Sequence, residues 1–147
     1  MTVYHTLKIT RPPGGGGSGS AVSTPPGYTF DFGGSKKRMN KHGHIWLNED
    51  PYAPIEIELE IKSANFVFED SGALSGKDAF FTSASPTPKT AFKGLGVFSG
   101  LGLDTSLTKL TFTIDNSKPG VFYYQLNVFD QTRGVHVTWD PIIVNQP

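Results

Sequence analysis

Apolar and polar residues alternate with a period of two along most of this chain, the pattern of strands that bury one face. Leu110, Phe112 and Ile114 alternate with polar neighbours, Lys118-Pro119-Gly120 turns the chain, and Phe122, Tyr124, Leu126 and Val128 alternate back. This predicts a hairpin. A third run, Val135 to Trp139, follows a short polar connection, and Asp140-Pro141 breaks the chain before Ile142-Ile143-Val144. The cleanest alternation lies earlier, where Ile55, Ile57, Leu59 and Ile61 face one way and Glu56, Glu58, Glu60 and Lys62 the other. A one-residue slip there would bury carboxylates, so the pairing of this segment is tightly specified.

The first ten residues also alternate, with Val3, Leu7 and Ile9 on one face and His5 falling on that same face. Residues 11–27 then form a Pro/Gly/Ser-rich bridge, either a natural flexible loop or an engineered linker. Flexible chain of that length spans roughly 20–25 Å on average, which frees the first strand to dock far from its sequence neighbour, even on another molecule. Tyr28 to Phe32 reads as a short aromatic strand ended by Gly33-Gly34, and His44 to Leu47 as another. Asn65 to Glu69 continues as a strand after a bend or bulge at Lys62-Ser63-Ala64. Between Asp70 and Leu103 the pattern loosens: Phe80-Phe81 and Val97-Phe98 are brief apolar pieces, residues 83–88 are loop, and residues 71–79 hold at most one helical turn. Seven to nine strands without helical periodicity predict one all-β domain over residues 1–147, an antiparallel β-sandwich of immunoglobulin-like or related topology. Its expected core is Ile55, Ile57, Leu59, Ile61, Leu110, Phe112, Ile114, Phe122, Tyr124, Leu126, Val128, Val137 and Trp139.

Composition narrows the function classes. A chain of 147 residues can hold a core without a metal or a crosslink. The absence of cysteine excludes disulfides, thiolate metal sites and a cysteine nucleophile. Thirteen basic and thirteen acidic residues balance, so no net field draws the molecule to nucleic acid or an anionic membrane. No run approaches the ~20 apolar residues of a membrane helix, and no signal peptide is read, so a cytoplasmic protein is expected unless a leader has been trimmed.

The ending Trp139-Asp140-Pro141-Ile142-Ile143-Val144-Asn145-Gln146-Pro147 resembles that of small bacterial proteins grouped as the DP-EP family. Asp140-Pro141 matches, while Gln146 stands where the family name puts an acidic residue. That resemblance implies a small β-sandwich and transfers no catalytic residue. Pro119-Gly120-Val121-Phe122-Tyr123-Tyr124 is similar to a strand start of immunoglobulin-like and cupredoxin-like sandwiches, but Leu126 occupies the place of the cupredoxin cysteine ligand. Blue copper is thereby excluded.

Four constellations carry candidate chemistry. His42, His44 and Glu49 resemble the first half of a cupin metal motif, with imidazole and carboxylate suited to iron, manganese or zinc. The preceding glycine spacing and a second motif are missing, and a solvated basic loop is the plainer reading. Lys36, Lys37, Arg38 and Lys41 could hold phosphates of a polyanion, with the same plainer reading. Tyr123, Gln125, Asn127 and Phe129 share the face opposite the hairpin's core residues, where rings and amides could bind carbohydrate or lie under a loop. Glu56, Glu58 and Glu60 could protect an outer strand from edge-to-edge pairing.

No nucleophile elbow, phosphate loop or dinucleotide fingerprint is present. A non-enzymatic binding or assembly module without a cofactor is therefore expected, with a second copy or another protein as partner rather than nucleic acid. Val3, Leu7 and Ile9 are the residues by which the tethered first strand would complete its own sheet or a neighbour's. The alternatives are a cupin-like metal enzyme and a carbohydrate or polyanion binder.

Overall fold

The computed structural model describes residues 2–12, 27–34, 41, 43–46, 54–70, 72, 74–83, 98–115, 120–139 and 142–145. Among the described residues there is no helix. The strands are β1 (Thr2–Thr10), β2 (Thr29–Gly34), β3 (Ile45–Trp46), β4 (Ile55–Ile61), β5 (Phe66–Phe68), β6 (Phe80–Ser83), β7 (Phe98–Leu103), β8 (Lys109–Ile114), β9 (Gly120–Asp130), β10 (Val135–Trp139) and β11 (Ile142–Asn145).

One sheet has the order β2-β1-β4-β8-β7. The isoleucine and glutamate strand, β4, lies at its centre, parallel to β1 and antiparallel to β8. The glutamates therefore do not guard an edge, because β1 covers the side of β4 that an edge strand would leave open. They line the outer face instead, where Lys62 pairs with Glu60 at 3.0 Å. The buried set Ile55, Ile57, Leu59 and Ile61 points inward as the alternation requires.

The second sheet is built around β9. On one side of it β5 pairs at Phe66 to Phe68 and β6 at Phe80 to Ser83, both antiparallel. The backbone of Asn127, between the two, donates to Ala79 and accepts from Glu69. These segments thus share one strand position beside β9, with residues 70–78 between them in the chain. On the other side Trp139 pairs with Leu126 and Ile142 with Tyr123, so the register runs from β10 into β11 without a shift. Asp140-Pro141, where the alternation predicts a break, lies outside the described residues, and β10 and β11 on either side of it keep one register along β9. Counted by position, the eleven segments fill nine places, and β3 joins β11 in parallel.

The sheets bury a common interior. Phe80 of β6 stacks on Phe112 of β8 at 4.5 Å and meets Phe98 of β7 edge-on at 5.3 Å. Trp139, half-buried, stacks on Phe30 of β2 at 5.1 Å. Each such pair adds about 0.5–1.5 kcal/mol beyond its buried area. The bend at residues 62–65 moves the chain from one sheet to the other, with Asn65 in the left-handed region at φ 65°. It is a corner rather than a bulge.

Candidate functional site

The first strand and its surroundings form the most distinctive site. β1 inserts between β2 and β4, with Leu7 opposite Phe32 on one side and Ile61 on the other. Both backbone edges of β1 are thereby engaged within the chain. Val3, Leu7 and Ile9 are buried against the core, and Tyr4 on the opposite face is 61% exposed. The strand completes its own sheet, the plainer of the two expectations for a tethered segment.

His5 shares the inward face and is only 2% exposed. Its Nδ1 donates to the Gly33 carbonyl at 3.3 Å, while Nε2 has no hydrogen-bond partner among the described residues. That arrangement suits the neutral Nδ1–H tautomer, in which Nε2 carries only a lone pair. Burial lowers the imidazole's pKa below its usual value, and the Gly33 carbonyl opposes the shift only in part.

A polar clamp closes the other end of the strand. Arg11, the residue after β1, donates from Nε to both carboxylate oxygens of Asp130 at 2.9 and 3.0 Å, and from Nη2 to the Ala64 carbonyl at 3.2 Å. Its guanidinium lies over the Phe66 ring, 4.2 Å from the centroid. The Tyr28 hydroxyl donates to Asp130 at 2.6 Å, and the Thr132 and Arg133 amides donate to the same carboxylate at 3.0 and 3.3 Å. Arg133 returns a bond from Nη2 to the Pro12 carbonyl at 2.8 Å.

Asp130 is fully buried. Burial alone would push its carboxyl up; the Tyr28 hydroxyl, the Arg11 guanidinium and the Arg133 amide outweigh that and hold it below the ordinary carboxylate range. Tyr28 moves the opposite way, raised first by burial and then by its hydrogen bond to the Asp130 carboxylate. The clamp ties the end of β1 and the start of β2 in one sheet to the β9–β10 turn in the other.

The clamp was not anticipated from sequence, although a signal existed. Asp130 follows Tyr124, Leu126 and Val128 at steps of two, which puts a carboxylate in phase with the core. A buried acid requires a partner, and Arg11 directly after an apolar strand was available to supply it.

The carbohydrate candidates lie on the outer face of β9, and their amides are engaged within the protein. Asn127 Oδ1 accepts from Gln125 at 2.7 Å and from Thr138 at 3.2 Å, and its Nδ2 donates to the Asp78 carbonyl at 3.0 Å. Phe129 packs against the His136 ring at 5.1 Å, and His136 Nδ1 bonds Glu69. Tyr123, Gln125, Asn127 and Phe129 are all half-buried.

Of the metal candidates, His44 is half-buried beside β3, while His42 and Glu49 fall outside the described residues. Gly43 between the histidines is a packing position. Its φ is 83°, a Cβ there would lie 2.7 Å from Phe32, and its carbonyl accepts from the buried Tyr124 hydroxyl. In the basic cluster Lys41 is exposed and its carbonyl accepts from the Phe32 amide at 2.9 Å; Lys36, Lys37 and Arg38 fall outside the described residues.

No family model matches the chain, and none of the curated proteins does. Among solved structures it is similar to an inclusion body protein, PixA, from Burkholderia cenocepacia J2315, at 9% identity and a TM-score of 0.43, over 99% of this chain and 96% of that one. A likeness that remote carries no argument about activity. No helix among the described residues is long and apolar enough to cross a membrane.

Proposed function

We propose that this protein is a non-enzymatic assembly module whose first strand can dock either in its own sheet or in that of a second copy. The observation that carries the reading is the place of β1, inserted between β2 and β4 rather than added to a rim. A vacated slot exposes two unpaired strand edges and an apolar trough, which only a strand of matching alternation fills. A second copy supplies that strand with every contact reproduced in trans. The closed and exchanged forms then differ mainly through the tether and the protein concentration.

The tether permits the exchange. Pro12 and Gly27 are neighbours: a Cβ on Gly27 would lie 2.6 Å from that of Pro12. The intervening residues 13–26 reach at most about 46–50 Å when fully extended. A domain of this length has a radius of gyration of about 15 Å, so two copies in contact lie within that span. Short tethers give effective concentrations in the mM range, and exchange is expected to compete near that concentration.

The absence of cysteine allows a direct test. Lys8 and Asp31 are exposed register partners on β1 and β2, so Lys8→Cys/Asp31→Cys places two thiols across one antiparallel pair. The protein is incubated from μM to mM concentration and then oxidised. Covalent dimers or larger species that increase with concentration support the proposal; a crosslinked monomer at every concentration refutes it.

A further inference from the structure

We propose that His5 is a pH latch on β1: the neutral imidazole holds the strand in its slot, and its protonation releases the strand. The proposal deepens the strand-exchange reading by naming its regulation. It depends on that reading only for where the released strand goes.

The geometry permits one protonation state. Nδ1 already spends its hydrogen on the Gly33 carbonyl, and Nε2 is enclosed without a partner among the described residues. A proton on Nε2 would place a second donor and a full positive charge where no described group accepts them, at a cost far above that of a buried lone pair. The docked strand therefore excludes the proton.

Among the described residues no charge is placed to relieve this. His5 stands opposite Gly34 on β2 and Leu59 on β4. On β2 the acid is Asp31, on β4 they are Glu56, Glu58 and Glu60, and on β1 the titratable neighbours are Tyr4 and Lys8; alternation directs all of them to the outer face. Across the sandwich Tyr124 is committed to the Gly43 carbonyl. Asp130 is the other buried polar side chain among the described residues, and it is held at the Arg11 end of β1. That end lies roughly 20 Å along the strand from His5.

The sign follows from linkage. Burial lowers the folded-state pKa of His5 below its ordinary value. The released strand thus binds the proton more tightly than the docked one, and docking weakens as pH falls below about 6.5, by up to tenfold per unit. Asp130, held below the ordinary carboxylate range, keeps its charge throughout that window.

The test measures protection factors of the β1 amides by hydrogen exchange between pH 7.5 and 5, together with mixing of two isotopically labelled populations of the full chain. Wild-type protection of β1 is expected to fall by up to roughly 30-fold relative to the β8 amides. His5→Leu, which fills the site with an apolar side chain, should abolish that fall. His136→Gln, on the outer face, should preserve it.

A pH-independent wild-type profile, or the same fall in His5→Leu, overturns the latch. The ring signals of His5 give a second criterion that needs no variant: a titration near pH 6.5 with β1 still protected also overturns it. Acid-dependent release without mixed species keeps the latch and defeats the exchange proposal, whereas mixing that ignores pH does the reverse.

Discussion

Replacing Asp130 by Asn tests the clamp at the end of β1. The carboxylate accepts from Arg11 Nε through both oxygens, from the Tyr28 hydroxyl, and from the Thr132 and Arg133 amides. An amide preserves the volume and one acceptor, but it turns the other oxygen into a donor facing groups that also donate. It also removes the counter-charge of Arg11. Losing one member of a buried ion pair costs about 3–5 kcal/mol. Arg11 keeps 25% of its side chain exposed and its place over Phe66, so water and the ring retain part of its stabilisation. The expected loss is therefore near the lower end, about 3 kcal/mol, against a total stability of about 5–15 kcal/mol. Urea titrations should show a lower midpoint at unchanged slope. Arg11→Met completes a double-mutant cycle, and the pair should couple by about 0.5–3 kcal/mol. A loss below about 1 kcal/mol for Asp130→Asn, or strict additivity with Arg11→Met, would show that the clamp does not hold the strand.

Three further outcomes can be checked on the same protein. Asp130 and Asp104 both have carboxyls held below the ordinary value, for Asp104 by the Ser106 hydroxyl and the Lys109 and Thr108 amides in excess of its burial. Depressed folded values stabilise above about pH 4 and lose that contribution as pH falls through them, so acid unfolding should flatten in Asp130→Asn and Asp104→Asn. Gly43→Ala combines a left-handed backbone with a Cβ 2.7 Å from Phe32, whereas Gly72→Ala, at φ 105°, meets nothing within 4 Å among the described residues. Thermal midpoints should therefore fall further for Gly43, by the equivalent of about 1–3 kcal/mol of overpacking. His136→Ala breaks a half-exposed pair with Glu69 and should change stability by less than about 1 kcal/mol.

The strands with strict alternation were legible because one buried face leaves a period of two. Ile55 to Ile61, Leu110 to Ile114 and Tyr124 to Val128 are buried as that period demands. The period says which face is wet but not which strand lies alongside. The parallel pairing of β1 with β4 was therefore invisible, and with it the central place of the glutamate row. Phe66, Phe68 and Phe80 belong to the core but sit in strands of three and four residues, too short to show a period, and Phe98 opens a strand whose register shifts between Ser99 and Gly102. The order of β5 and β6 along β9 depends on an excursion whose ends meet only in space. The candidate site was half legible: alternation placed His5 inside, and the same rule applied to Asp130 implies the clamp.

These two buried polar groups treat one strand in opposite ways. Asp130 is saturated with donors and grips β1 through Arg11, next to the point where the tether departs. His5 is half satisfied and makes docking conditional on remaining neutral. The strand should therefore loosen from the Val3 side in mild acid while the Arg11 side holds, and complete release must still break the clamp. The height of the exchange barrier then belongs to Arg11 and its pH dependence to His5. Arg11→Met should accelerate mixing of labelled copies at every pH, by roughly tenfold for each 1.4 kcal/mol that the clamp contributes to the barrier, and leave the shape of the pH profile unchanged. His5→Leu should flatten the profile without accelerating mixing at neutral pH. If instead Arg11→Met alters the profile, or His5→Leu accelerates mixing at neutral pH, the two ends of the strand are not independent, and β1 leaves its slot in a single step.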